Sequence, residues 1–221
     1  MNLPDHLLDD SWYLLGWLVL GVLLAGVWRS GSWRGLADPS RFNQWLANCV
    51  LLTLVWSMKA GVLPGLNLHL LGAMVFTLQF GAPLALLGSC LTLAGITLNG
   101  ATGWQGFGLN ALLMGAVPVG ISALLVFMGQ RILPKNIFVF IFAHGFFGSA
   151  AVVVGTGAVA SVLFWLSGAY PLATLLDDYL PYFILLGFSE AWIAGMLVTL
   201  MVVYRPQWLV SFDDRQYLEQ H

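Results

Sequence analysis

Charge is what this sequence has least of. Only 8% of its 221 residues are Asp, Glu, Lys or Arg, against about 25% in an ordinary water-soluble domain. With 59% hydrophobic residues and a mean hydropathy of +0.86, a soluble globule is excluded. The formal charge is −2, so no basic surface invites nucleic acid. There is no His-Glu-x-x-His hydrolase motif. No phosphate loop is present either, so the chain cannot power transport by itself. Ser167-Gly168 ends an apolar run with no imidazole at its depth, which argues against a Ser/His intramembrane hydrolase. Neither an enzyme nor an organic cofactor is therefore expected. The two cysteines, Cys49 and Cys90, fall inside apolar runs as structural thiols, without disulfide or metal spacing. The N-terminus lacks the basic region of a signal peptide. It reads Met1-Asn2-Leu3-Pro4-Asp5-His6-Leu7-Leu8-Asp9-Asp10, which is acidic, and it is expected to survive in the mature protein. Asn2 is too large to favour removal of the initiator, which leaves Met1 with a free amine.

What is present is apolar sequence in blocks. Seven segments are long enough to be read as spans: Trp12–Trp28, Phe42–Met58, Gly65–Phe80, Ala82–Asn99, Phe107–Gly129, Asn136–Ser167 and Leu180–Tyr204. The expected fold is all-α, a polytopic helical bundle of about seven transmembrane helices in one domain over residues 1–221. The third segment is short, and only Gly81 parts it from the fourth, so the two are expected to form a tight hairpin. The sixth is too long for one straight span, and Gly145, Gly148, Gly155 and Gly157 predict a tilt, kink or break. Gly21 and Ala25 form a small-residue face, expected to pack inside the bundle.

Basic residues set the orientation. Arg29, Arg34, Arg41, Arg131, Lys135, Arg205 and Arg215 fall on one side and Lys59 alone on the other. The positive-inside rule then puts the N-terminus outside and the C-terminus in the cytoplasm, with residues 1–11 external and 205–221 a short tail. The setting is the cell inner membrane, crossed several times and in contact with lipid.

Polar residues inside apolar segments need a reason, because burying an unpaired polar group costs about 1–3 kcal/mol. At about 1.5 Å per residue, His69 lies roughly one turn below the outer face. Its imidazole either bonds a neighbouring helix or holds a transition metal. Met1, Asp5, His6, His69 and Asn110 can all converge at the outer mouth, a nitrogen and oxygen donor set of the kind divalent transition metals take. His144 and Glu190 both fall near mid-depth. Ionisable residues there face the bundle interior, either as a structural pair or lining an ion path.

Several segments, in order, resemble one family: the CbiM/NikM cobalt/nickel-type metal-binding membrane components of energy-coupling-factor ABC transporters. Met1-Asn2-Leu3-Pro4-Asp5 resembles the family's Met-His-Ile-Pro-Asp/Glu opening. His69-Leu70-Leu71-Gly72-Ala73 resembles its His-Leu-Leu/Ile-Gly-Gly/Ala element. Gly108-Leu109-Asn110-Ala111-Leu112-Leu113-Met114-Gly115 is similar to its Gly-Ala-Asn-Val-Leu-Asn-Met-Gly motif, and Leu186-Gly187-Phe188-Ser189-Glu190-Ala191-Trp192-Ile193 to its Glu-containing motif. Tyr204-Arg205-Pro206 matches the end of its last helix. The resemblance implies that the N-terminus threads into the bundle and that Met1, the backbone nitrogen of Asn2 and His69 bind metal, with Asn110 holding the N-terminal loop. Asn2 departs from the pattern because it has no imidazole; His6 is the substitute and Asp5 a further donor. The cargo is then a divalent Co or Ni ion, with Zn a rival because it accepts tetrahedral nitrogen and oxygen sites. The implied partners are a transmembrane coupling protein and cytoplasmic ATPase subunits. The other reading is an accessory or assembly subunit that kept the fold without the metal.

Overall fold

The protein is described by a computed structural model covering residues 2–61, 63–213 and 217. Its helices begin and end where sequence chemistry dictates. α1 (Asp10–Ser30) has Asp10 in its first turn, where a negative charge suits the helix dipole, and stops at Gly31 in the left-handed conformation. α2 (Pro39–Ser57) starts on a proline, and Asp38 accepts from Ser40 N. α3 (Ala73–Phe80) and α4 (Ala82–Leu98) are parted by Gly81 alone. α5 runs Phe107–Ile132 and α6 Ile137–Leu166; Asn136 Oδ1 caps α6 by accepting from Phe138 N at 2.8 Å. The short α7 (Leu172–Asp178) leads into α8 (Leu180–Tyr204).

By length and composition α1, α5, α6 and the α7–α8 stretch can each cross a membrane. Large apolar side chains such as Leu14, Leu18 and Val22 of α1, and Ile184, Leu185 and Phe188 of α8, stay exposed. Such a surface suits lipid, not water. The inward face of α8 is periodic: Phe183, Gly187, Glu190, Ala194, Val198 and Met201 are buried at spacings of four and three, the helical repeat. Glu190 lies on that stripe, so the helix itself turns its carboxylate into the protein.

Two expectations change and a third, for the sixth segment, is narrowed. The third segment is not one helix from Gly65 to Phe80. Its first half is extended: β1 (Ala60–Gly61) pairs antiparallel with β2 (Asn67–Leu68), residues 69–72 run on without helix, and only Ala73–Phe80 is helical. Leu66-Asn67-Leu68-His69-Leu70 alternates apolar and polar with period two, which is strand patterning. The sixth segment is neither broken nor interrupted. It is continuous from Ile137 to Leu166 and takes up a π-helical stretch, Ile141–Gly148; another, Leu112–Ala116, lies in α5. The small-residue face of α1 does not pack inside: Gly21 and Ala25 are exposed, and Gly21 has open space before it.

Two contacts place the N-terminal segment. α1 crosses α5 at Gly16 and Gly108, so closely that a Cβ on Gly108 would lie 2.6 Å from Trp17 N. This sets the start of α1 over the start of α5. Tyr13 Oη accepts from Leu7 N (3.0 Å) and Leu8 N (3.1 Å) and donates to Pro4 O (2.9 Å), tying residues 4–8 into one loop. At the far end of the bundle, Ser211 N and Oγ both donate to Leu78 O of α3.

Candidate metal centre

Asn110, in the first turns of α5, is fully buried. Its Oδ1 accepts from Leu3 N at 2.7 Å and its Nδ2 donates to Leu3 O at 3.0 Å, with Thr102 Oγ1 at 3.3 Å. The side chain thus pairs with Leu3 as a strand neighbour would. Asp5 fixes the next turn of the loop. Its Oδ1 accepts from Gly106 N at 2.8 Å, and its carboxylate lies against Gly103, where any Cβ would collide with it. Both act on the N-terminal segment. Leu7 and Pro4 in turn pack on Gly65, and Asn67 Nδ2 donates to Asn2 O at 3.5 Å. The N-terminal segment therefore lies along the extended piece that leads to His69.

Asn2 and His69 are the buried members, 4% and 3% exposed. The extended repeat of two puts Asn67 and His69 on one side of the chain, and on that side Asn67 reaches Asn2. His69 Nδ1 lies 2.9 Å from Leu70 O. A carbonyl only accepts, so Nδ1 carries the proton and Nε2 is the nitrogen with a lone pair. This second bond orients the ring, as it does for metal-binding histidines generally. Trp56 supports the ring from the side, with centroids 5.6 Å apart, and its Nε1 donates to Leu71 O at 3.3 Å. The Asn2 side chain is buried too, and among the described residues neither its Oδ1 nor its Nδ2 has a hydrogen-bond partner.

Glu190 holds the other side of the loop. Its Oε2 accepts from Leu71 N at 2.8 Å and its Oε1 from Gly72 N at 2.6 Å. It thereby satisfies two backbone donors that the extended chain would leave bare inside the bundle. Gly72 is required here because its φ is +66°, and Leu52 fills the space where a Cβ would go. Glu190 is thus a positioning residue for the His69 loop.

Of the two readings of His144 and Glu190, a structural pair or an ion path, the pair is not among the described contacts. Glu190 spends both oxygens on the loop. His144 packs against Phe140, centroids 5.1 Å apart, and against the bare backbone of Gly129. A cavity of 110 Å³ touches Glu190, Gly72, Leu52 and Phe76 but not His144. His6 also stands apart: it is exposed, at φ +66°, on a loop whose neighbours Leu7 and Leu8 are turned inward. Met1 lies outside the described residues. Among the described residues no three His, Cys, Asp or Glu side chains gather as a metal cluster, so His69 is the one imidazole of this buried group.

The residues that sequence reasoning passes over are Trp56, Tyr13, Asn67 and the Gly103–Gly106 turn. The period-two alternation is the available signal for Asn67; the rest act through tertiary contacts that no local pattern reports.

None of the curated proteins compared matches this chain. Two solved structures share its fold. One, described as the crystal structure of a transition metal transporter, superposes with a TM-score of 0.72 at 15% identity, over 92% of this chain and 93% of the other. The second, a truncated transition metal transporter, gives a TM-score of 0.74 at 15% identity, over 92% and 99%. The model of the CbiM family, described as the cobalt uptake substrate-specific transmembrane region, matches residues 2–208, and with the motifs in order this chain belongs to that family.

Proposed function

We propose that this protein is the substrate-capture and permease component of an energy-coupling-factor transporter that imports a divalent transition-metal ion, cobalt or nickel by family and zinc by donor type. It sits in the cell inner membrane with seven passes, N-terminus outside. A transmembrane coupling protein and cytoplasmic ATPases supply the energy. One observation carries the reading: a buried imidazole, His69, on the extended piece that Asn67 ties to Asn2, next to an N-terminal segment held by Asn110 and Asp5. The Met1 amine and the backbone nitrogen of Asn2 complete the donor set, and His6 stays outside it because its side chain faces solvent. Glu190 and His144 serve the architecture, one by holding the His69 loop and the other by packing between α5 and α6.

The reading is tested by metal content on detergent-purified protein offered Co, Ni and Zn together. Near-stoichiometric metal in wild type, lost in His69→Ala, is the expected result. Bound cargo also raises the melting temperature, since a ligand at a hundredfold over Kd stabilises the fold by about 2.7 kcal/mol. Occupancy falls in mild acid, because the imidazole must be unprotonated to bind. A second reading, an accessory subunit without cargo, is favoured by the single-histidine character of the group. It is the outcome if wild type holds no metal and shows no metal-specific shift in melting.

A further inference from the structure

A groove runs between α2 and α8, with Val75 and Gln79 of α3 along its floor. Its middle stretch, 460 Å³, is walled by Ala47 and Leu51 of α2 and by Leu197, Leu200 and Tyr204 of α8. One end runs into the 110 Å³ cavity beneath Glu190 and Gly72, and the two share Asn48, Leu51, Val75 and Leu197. The other end opens into a mouth of 540 Å³, sharing Gln44, Gln79, Arg205 and Trp208. Arg41 and Arg205 both line that mouth, on the face that the positive-inside rule assigns to the cytoplasm. Asp38 lines it too, but its Oδ1 accepts from Ser40 N at 3.1 Å. The mouth thus holds two positive charges against one negative, and among the described residues neither guanidinium has a hydrogen-bond or ion-pair partner.

The groove does not suit a metal ion in transit. A positive mouth repels a cation, and the amides inside are spent on one another: Asn48 Nδ2 donates to Gln79 Oε1 at 3.1 Å and to Gln44 O at 2.8 Å, and Gln79 Nε2 donates to Asn48 Oδ1 at 3.3 Å. What remains is an apolar track with a positive end. From Ile193 to Arg205 α8 rises about 18 Å, close to the hydrocarbon depth of one leaflet, about 15 Å, half of a bilayer core. Tyr204 and Trp208 flank Arg205, as aromatic residues do at headgroup level. The track is also narrow. Between Leu197 and Arg205, about 12 Å of helix, 460 Å³ gives a cross-section of about 40 Å². A helix with side chains, 10–12 Å across, needs about 80–110 Å², so a chain of methylenes fits where a helix does not.

We infer that this groove seats an anionic phospholipid, its phosphate at Arg41 and Arg205 and one acyl chain along Leu51, Leu197 and Leu200. Basic pockets between membrane helices take anionic head groups in this way. The acyl end reaches toward the cavity behind Gly72 and fills space beside the loop that Glu190 holds. The inference stands on the membrane-embedded fold and is independent of the ion carried.

The test offers delipidated, detergent-purified full-length protein an equal mixture of phosphatidylglycerol and phosphatidylcholine with matched acyl chains, and reads retained lipid by native mass spectrometry. Wild type is expected to prefer phosphatidylglycerol. Replacing Arg41 and Arg205 together by Gln is expected to lower that preference about 25-fold, about fivefold for each arginine, with melting of the lipid-free protein unchanged. Should the double variant fail to fold, Arg205→Gln alone, expected to lose about fivefold, decides. Ala47→Trp fills the track and is expected to lose both lipids. Arg29→Gln, exposed on the same face at the end of α1, is expected to leave the ratio unchanged. The inference is overturned if wild type retains the two lipids equally, if the arginine variants keep the wild-type ratio, or if Arg29→Gln lowers it as much. It is also overturned if Ala47→Trp keeps its lipid, or if excess inorganic phosphate alone strips phosphatidylglycerol, since the track then holds no tail. A wild type without lipid, whose Leu200→Cys variant crosslinks to a second membrane protein, makes the groove a protein interface and overturns it as well. None of these results touches the His69-dependent metal content, so the capture reading stands or falls separately.

Discussion

Removing the Glu190 carboxylate should dismantle the site without touching a donor atom. The structure gives the size of the effect. Glu190 satisfies two backbone N–H groups, at 2.8 and 2.6 Å, on the stretch that carries His69. Glu190→Ala strands both in a buried setting, at about 1–3 kcal/mol each, or about 2–6 kcal/mol in all. At about 2–4 °C per kcal/mol for a chain of this size, melting falls by roughly 5–20 °C. Glu190→Gln keeps one acceptor and sets an NH2 against the second N–H, so it should lose about half as much. The assay is thermal unfolding in detergent, with and without metal, alongside metal content. Both variants should hold less metal than wild type, and Ala less than Gln. If Glu190→Ala melts with wild type and keeps its His69-dependent metal, the clamp is not what holds this loop, and the role assigned to Glu190 is wrong.

Asn110→Leu should strand Leu3 N and Leu3 O together, again about 2–6 kcal/mol; limited proteolysis should show the N-terminal segment released and metal analysis should show the ion gone. Gly72→Ala forces a Cβ into a left-handed backbone, at about 1–2 kcal/mol, and onto Leu52 at 2.5 Å; a melting temperature equal to wild type would contradict the geometry. His6→Ala should retain metal and shift stability by no more than about 0.5 kcal/mol, as an exposed substitution does; loss of metal in this variant would return His6 to the ligand set.

Most of the helices are legible in the amino-acid pattern. Apolar blocks bounded by proline, glycine and charge locate α8 at Leu180–Tyr204, as expected, and α4 within one residue of its expected end. The third segment is not legible in the same way, because composition alone does not separate a buried strand from a buried helix. Its alternation from Leu66 to Leu70 is visible, but the apolar run around it masks the change of period. Depth puts Asn110 at the same outer mouth as the N-terminus, but its role in holding that segment is readable only through family motifs. Glu190 defeats a reading by depth for a different reason. Its partners are backbone N–H groups exposed by a break in helix, and a donor of that kind leaves no mark in the sequence. His144 looks like a partner because both residues fall at similar depth, yet depth says nothing about which way a helix turns a side chain.

The clamp on the His69 loop spans a long stretch of chain. Leu71 and Glu190 are 119 residues apart, and Leu3 and Asn110 are 107 apart. A chain emerging from the ribosome therefore makes the loop well before it makes the groups that hold it. Until α5 is in place the first residues have nothing to lie against, and until α8 is in place the bare N–H groups of Leu71 and Gly72 have no acceptor. If His69 holds the cargo as proposed, capture is in this sense the last competence the nascent protein acquires, and a ribosome stalled short of codon 190 leaves a chain whose His69 loop has no carboxylate to hold it.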